Sequence, residues 1–208
     1  MITPNKSDCV GCFACCSICP VDCIAMQDDK EGFLYPFYHD KKQCINCGCC
    51  KKVCPVITQR NDSKPLGVYA AKNPDEKIRL QSSSGGIFTL LAEHIINEGG
   101  VVFGARFNEN WEIIHSYAET IEGVATFRGS KYVQSKIGES YKQAKFFLTM
   151  GGGRKVLFSG TPCQIAGLKA FLQKDYSNLL TVDFVCHGVP SPLVWKKYLD
   201  ELLVTPQH

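Results

Sequence analysis

Eight cysteines, arranged as two copies of one spacing, constrain this chain more than any other feature it has. The first copy is Cys9-x2-Cys12-x2-Cys15-x3-Cys19-Pro20 and the second is Cys44-x2-Cys47-x2-Cys50-x3-Cys54-Pro55. Gaps of two residues let three thiolates on one tight loop reach three corners of a metal–sulfur cube. The last cysteine of each run then opens a short helix aimed at the opposite loop. The proline that follows suits an early helical position, because it fixes φ and lacks a donor that such a position cannot use.

This is the spacing of bacterial two-cluster ferredoxins, in which the fourth cysteine of each run ligates the other cluster. One [4Fe–4S] cluster is expected on Cys9, Cys12, Cys15 and Cys54, and the other on Cys44, Cys47, Cys50 and Cys19. Two CxxC pairs are also a zinc-ribbon pattern, but zinc takes four ligands per ion and leaves two complete runs unexplained. Of the 13 cysteines, 11 fall within residues 9–54. A disulfide framework would accompany secretion, and the opening MITPNKSDC carries no signal peptide. Cys16, Cys23 and Cys49 are left over and read as small packing residues. Between the runs, Phe33, Tyr35 and Phe37 alternate as in a strand and are expected to cover a cluster.

Apolar residues make up 45% of the 208 and charged residues 21%, the balance of a globular chain. No apolar run approaches the ~18 residues of a membrane span, and a cytoplasmic location is expected. The net charge of +3 is too small to argue for nucleic acid, whose binders concentrate Lys and Arg on one face.

Residues 58–66, TQRNDSKPL, read as a linker, dividing the chain into an iron–sulfur module over 1–60 and a second domain over 66–208. GVYAAKN reads as a strand and GIFTLLAEHIIN as a helix stopped by Gly99-Gly100. VVFGARF and EIIHSYAE read as a strand pair, and ESYKQAKFFLTM as a helix. VLFSG and LLTVDFVC read as buried strands. Thr161-Pro162 and Ser191-Pro192 read as the cap and first residue of the helices that follow them. The fold class is therefore α+β: a two-cluster ferredoxin-like module, then an α/β domain with a largely parallel core.

Anion sites arise where such strands hand over to helices. Three small-residue segments offer one: SSSGG at 82–86, RGSK at 128–131 and SGTP at 159–162. Each reads equally as a turn. Cys163 falls in the first turn of a helix, where the dipole and free N–H groups favour a thiolate; nucleophile, metal ligand and plain buried residue all stay open for it. His94, His115 and His187 read as structural.

Together the cysteine runs, SSSGGIFTLLA, RGSKYVQS, VLFSGTPCQIAGLK and DFVCHGVPSP resemble the coenzyme F-420 hydrogenase/dehydrogenase beta-subunit family. In particular they resemble its bacterial branch, which carries a ferredoxin module at the N-terminus. The resemblance implies an iron–sulfur flavoprotein-type oxidoreductase that relays electrons between a two-electron carrier, flavin or deazaflavin, and [4Fe–4S] clusters. It implies a flavin-binding domain with FAD held by Ser84, Gly85 and Gly86, by Ser130, Lys131 and Tyr132, and by Thr161 and Pro162. It also implies a further cluster site using Cys163 and Cys186 with a CxxC pair farther along. That pair is not in this sequence, so the domain is expected to be C-terminally incomplete and a third [4Fe–4S] cluster to belong to a longer form. The expected partner is a redox protein or a deazaflavin substrate. The alternative expectation is a non-catalytic ferredoxin-type electron-transfer subunit docked on a partner oxidoreductase.

Overall fold

The computed structural model describes residues 5–58, 64–150 and 152–204; positions 59–63 of the expected linker lie outside the described residues. Each cysteine run contains a one-turn helix, α1 (Ala14–Ser17) in the first and α2 (Cys49–Lys52) in the second. Both precede the last cysteine, so, contrary to expectation, no helix opens at Cys19 or Cys54, and a turn follows each instead. The two loops repeat one backbone geometry. Gly11 and Asn46 have φ of 59° and 54°, and Phe13 and Gly48 have φ of 66° and 73°. This left-handed region suits glycine and asparagine and strains a bulky residue. Phe13 is held there by packing: its ring is 8% exposed and joins the main core. Its counterpart Gly48 has nothing within 4 Å of where a Cβ would stand.

Between the runs, β1 (Ile24–Asp28) and β2 (Leu34–Tyr38) form an antiparallel hairpin. The alternation is as expected but the face is inverted. Met26, Pro36 and Tyr38 line the cysteine cavities, not Phe33, Tyr35 and Phe37. Tyr35 instead lies beneath the Lys6 ammonium, 4.8 Å from it.

The second domain opens with a short helix, α3 (Glu76–Leu80), and α4 (Ile87–Asn97). Its sheet has the order β4-β3-β5-β6, built from β3 (Val101–Phe107), β4 (Ile113–Ala118), β5 (Val156–Ser159) and β6 (Leu179–Val182). β3, β5 and β6 run parallel, and β4 is an antiparallel edge. Val101, Val102, Phe103, Val156, Leu157 and Phe158 are fully buried, as central parallel strands covered on both faces must be. One face is covered by α4 and α5 (Ile121–Ala125) through Ala92, Ile95 and Val124. The other is covered by α6 (Ser140–Thr149) and α7 (Pro162–Leu172) through Tyr141, Ala144, Ile165 and Leu168. A last helix, α8, spans Pro192–Val204.

Two expectations need correction. GVYAAKN is not a strand: residues 67–73 are irregular, and Val68 and Tyr69 are each 88% exposed. LLTVDFVC is not a buried strand either. β6 ends at Val182, hydrogen-bonds only to β5 among the described residues, and is followed by exposed irregular chain at 183–188. Both segments have strand composition but lack the second neighbour that burial needs.

The two modules are packed as one body. Phe13 and Leu34 share a core with Ile137, Tyr141, Ile165 and Leu168. The Leu34 N–H donates to Gln134 Oε1 at 3.1 Å, and Lys142 Nζ stands 3.5 Å from the Asp22 carboxylate. A Cβ on Gly167 of α7 would lie 3.1 Å from that of Cys12, and one on Gly32 would strike Leu193 of α8.

Candidate metal centres

Two cavities open among the cysteines. Cys9, Cys12, Cys15 and Cys54 line the first, together with Gly11, Phe13, Met26 and Pro36. Cys19, Cys44, Cys47 and Cys50 line the second, with Cys23, Tyr38, Ile45 and Cys49. In each, three cysteines come from one run and the fourth from the other. Among the described residues, no three His, Cys, Asp or Glu side chains converge closely enough to hold a single metal ion. Four soft thiol donors around a cavity fit a cubane several ångströms across.

The cavities differ in setting. Cys15 and Cys54 are buried, whereas Cys47 is exposed. Burial pushes the Cys12 thiol up to about 12 and raises Cys9 and Cys50 as well. Without iron these sulfurs hold their protons at neutral pH, so loading a cluster must displace them. Cys47 moves the other way, chiefly because the Cys49 N–H hydrogen-bonds to it. Cys23 is 1% exposed and its sulfur lies 3.5 Å from that of Cys19, a packing position against the second set.

Cys163 stands in the first turn of α7, its sulfur 3.0 Å from Thr161 Oγ1. It lies one turn before Gly167 on the same helix, where an added Cβ would stand 3.1 Å from Cys12 Cβ. Cys186 is exposed in the irregular chain after β6, and no contact joins it to Cys163 among the described residues.

The candidate flavin segments are brought together in part. The Ser130 N–H donates to Ser83 Oγ at 2.8 Å, and Arg128 reaches back to Gln81 and Thr89 at 2.8 and 3.2 Å. Ser84, Ser130 and Tyr132 are exposed at this junction. Gly86, with φ of 72°, caps the N-terminus of α4, and buried Asn73 fixes the turn by donating its backbone N–H to Gly85 O at 2.7 Å and its side-chain amide to Gly86 O at 3.2 Å. Lys131 Nζ donates to the carbonyls of Thr126, Arg128 and Gly129 at 3.2, 2.7 and 3.2 Å. Its ammonium is lowered to about 8 by burial. Exposed hydroxyls, a helix N-terminus and a half-buried lysine suit an anionic, phosphate-bearing group. Thr161 and Pro162 belong to a different corner, the turn from β5 into α7.

That turn rests on a buried network the histidine spacing did not reveal. His115 Nε2 lies 3.0 Å from Ser159 O; a carbonyl only accepts, so Nε2 carries the proton. His115 Nδ1 therefore accepts from Ser135 Oγ at 3.0 Å. Ser135 in turn accepts from Gln164 Nε2 at 2.8 Å, and Gln164 Oε1 accepts the Thr161 N–H at 3.0 Å. Every direction is fixed by the neutral imidazole, and burial lowers His115 to about 4.

Comparison with known proteins decides what kind of chain this is. A 4Fe-4S dicluster domain model matches residues 8–57. Models for the N-terminal and C-terminal parts of the coenzyme F420 hydrogenase/dehydrogenase beta subunit match residues 68–141 and 153–208. The chain belongs to the coenzyme F420 hydrogenase/dehydrogenase beta-subunit family. It is also similar to a chain in a solved structure of the F420-reducing [NiFe] hydrogenase complex from Methanosarcina barkeri, at 25% identity and a TM-score of 0.51. That match covers 65% of this chain and 50% of the other, so the beta-subunit homologue described here spans half the length of that relative. No curated protein matches it. The family is that of a subunit of an oxidoreductase, and the dicluster model falls on the two cysteine runs. Among the described residues, no helix is long and apolar enough to cross a membrane.

Proposed function

We propose that this chain relays electrons between a two-electron carrier, flavin or deazaflavin, and two [4Fe–4S] clusters. One cluster is held by Cys9, Cys12, Cys15 and Cys54, the other by Cys44, Cys47, Cys50 and Cys19. The observation that carries the reading is the seat of the first cysteine loop. Cys12 packs against Gly167 of α7, and Cys163 lies one turn earlier on the same helix, so the first cysteine set sits against the helix that opens at the strand-to-helix turn of the second domain.

Bound FAD would supply the exchange of two electrons for single ones. Ser84, Gly85 and Gly86 at the N-terminus of α4, with Ser130, Lys131 and Tyr132, would hold its anionic part. Thr161 and Pro162 bound the side nearest the first cavity, and the His115 network holds that turn rigid. Lys131 acts by tying down the 126–129 carbonyls and by leaving positive charge under the site. Cys163 and Cys186 are proposed ligands of a third cluster in a longer form. All 13 cysteines are free of disulfides, which suits a reducing cytoplasm.

Anaerobic purification followed by acid extraction tests this reading. Release of about one FAD per chain supports it, whereas iron-replete protein that releases no flavin leaves a plain electron-transfer subunit docked on a partner oxidoreductase.

A further inference from the structure

The two cysteine runs repeat each other in spacing and backbone but not in surroundings. From Cys9 to Pro20 the first run carries no charged residue. It is locked against the second domain: a Cβ on Gly11 would lie 2.5 Å from Gln134 Nε2, Phe13 enters the shared core, and Cys12 O faces the Tyr141 hydroxyl. The second run carries lysine pairs on both sides of its three-cysteine loop, Lys41-Lys42 before Cys44 and Lys51-Lys52 between Cys50 and Cys54, with no acidic residue from 41 to 52. All four lysines are exposed, and no ion pair among the described residues engages any of them. Between them stand exposed Cys47 and Ile45, the latter 61% exposed. The neighbouring Asp40 carboxylate is engaged in capping the turn at Lys41–Gln43, accepting the Lys42 N–H at 2.9 Å.

We propose that this lysine-rimmed face is the docking surface for a small acidic one-electron carrier protein, with the first cysteine set as the inner station of the relay and the second as its outlet. The proposal rests on the cluster reading above. An exposed ligand loop brings a redox centre to the surface, where a partner's centre can approach it. An apolar spot ringed by one sign of charge has the anatomy of a transient interface, and a concentrated positive field speeds encounter with a negative partner. A cluster held by Cys44, Cys47, Cys50 and Cys19 would give up one electron and the carrier's own centre would take it, with no bond or proton moved. The uncharged, covered first run offers no such approach.

The test uses cluster-loaded protein and, as probe, an acidic plant-type [2Fe–2S] ferredoxin, with basic cytochrome c as the contrast. Binding is measured at low and at high salt for the wild type and for the combined Lys41→Glu, Lys42→Glu, Lys51→Glu, Lys52→Glu variant. A Lys196→Glu, Lys197→Glu variant on α8 controls for total charge. Ferredoxin binding should weaken about ten-fold or more in the four-site variant and on raising salt, and hold in the α8 control. Equal binding by wild type and four-site variant overturns the proposal, as does a wild type that ignores ferredoxin or prefers cytochrome c. Iron content of each sample separates failure of docking from failure of the cluster reading. Should the glutamates impair cluster retention, the same positions changed to glutamine carry the comparison.

Discussion

The Tyr141 hydroxyl lies 2.9 Å from the backbone oxygen of Cys12 and 2.8 Å from that of Gln164. One buried phenol thus ties the loop of the first cysteine set to the helix that begins at the candidate flavin turn. Its single proton serves two carbonyls.

The same junction makes an unusual prediction for glycine. Gly→Ala inside a helix ordinarily gains up to ~1 kcal/mol. At Gly167 the new methyl would stand 2.9 Å from the Tyr141 oxygen and 3.1 Å from Cys12 Cβ. Gly167→Ala should therefore destabilise by about 1–3 kcal/mol and speed iron loss to a chelator. Thermal loss of visible absorbance and the rate of iron release check it; a stabilised variant would contradict the packing.

Phe13 and Gly48 occupy equivalent left-handed positions, so their substitutions compare core anchoring with backbone strain. Phe13→Ala should cost about 3–5 kcal/mol, the usual loss for a buried aromatic. Gly48→Ala, with open space around it, should cost only about 1–2 kcal/mol from the left-handed backbone. Denaturant midpoints of the two variants give the ordering.

His115 predicts a pH dependence. Its folded value is lowered to about 4 from 6.5, so the neutral ring contributes stability that is present above pH 6.5 and lost as pH falls toward 4. The full effect is about 3 kcal/mol. Urea unfolding followed by tryptophan fluorescence at pH 7.5 and 5.5 should show the decline in the wild type, and a flatter profile in His115→Asn.

Lys131→Met removes the charge while keeping the length of the side chain. Under the flavin proposal, FAD content should fall several-fold while iron content is unchanged. Undiminished FAD would remove Lys131 from the flavin site.

Much of this was readable from the residues. The cysteine runs specify both loops because thiol spacing and the cubane leave little freedom, and the Thr161-Pro162 start of α7 follows from local capping chemistry. What the sequence hid depends on tertiary neighbours. Val68 and Val185 sit in strand-like segments with no partner strand, and both are more than 80% exposed. The hairpin's period was legible, but which face met the cysteines was decided by how Leu34 docks on Gln134. His115 gave no signal because its partners Ser135, Ser159 and Gln164 are scattered along the chain.

Metal analysis of oxygen-protected protein shows whether two cubanes sit on eight of these sulfurs. Anaerobically purified chain should carry about eight iron atoms and about eight acid-labile sulfides, with a reduced-state EPR spectrum of two interacting one-electron centres. Colourless protein holding zinc, or an iron content near half that value, would mean that the eight thiols do not hold two cubanes.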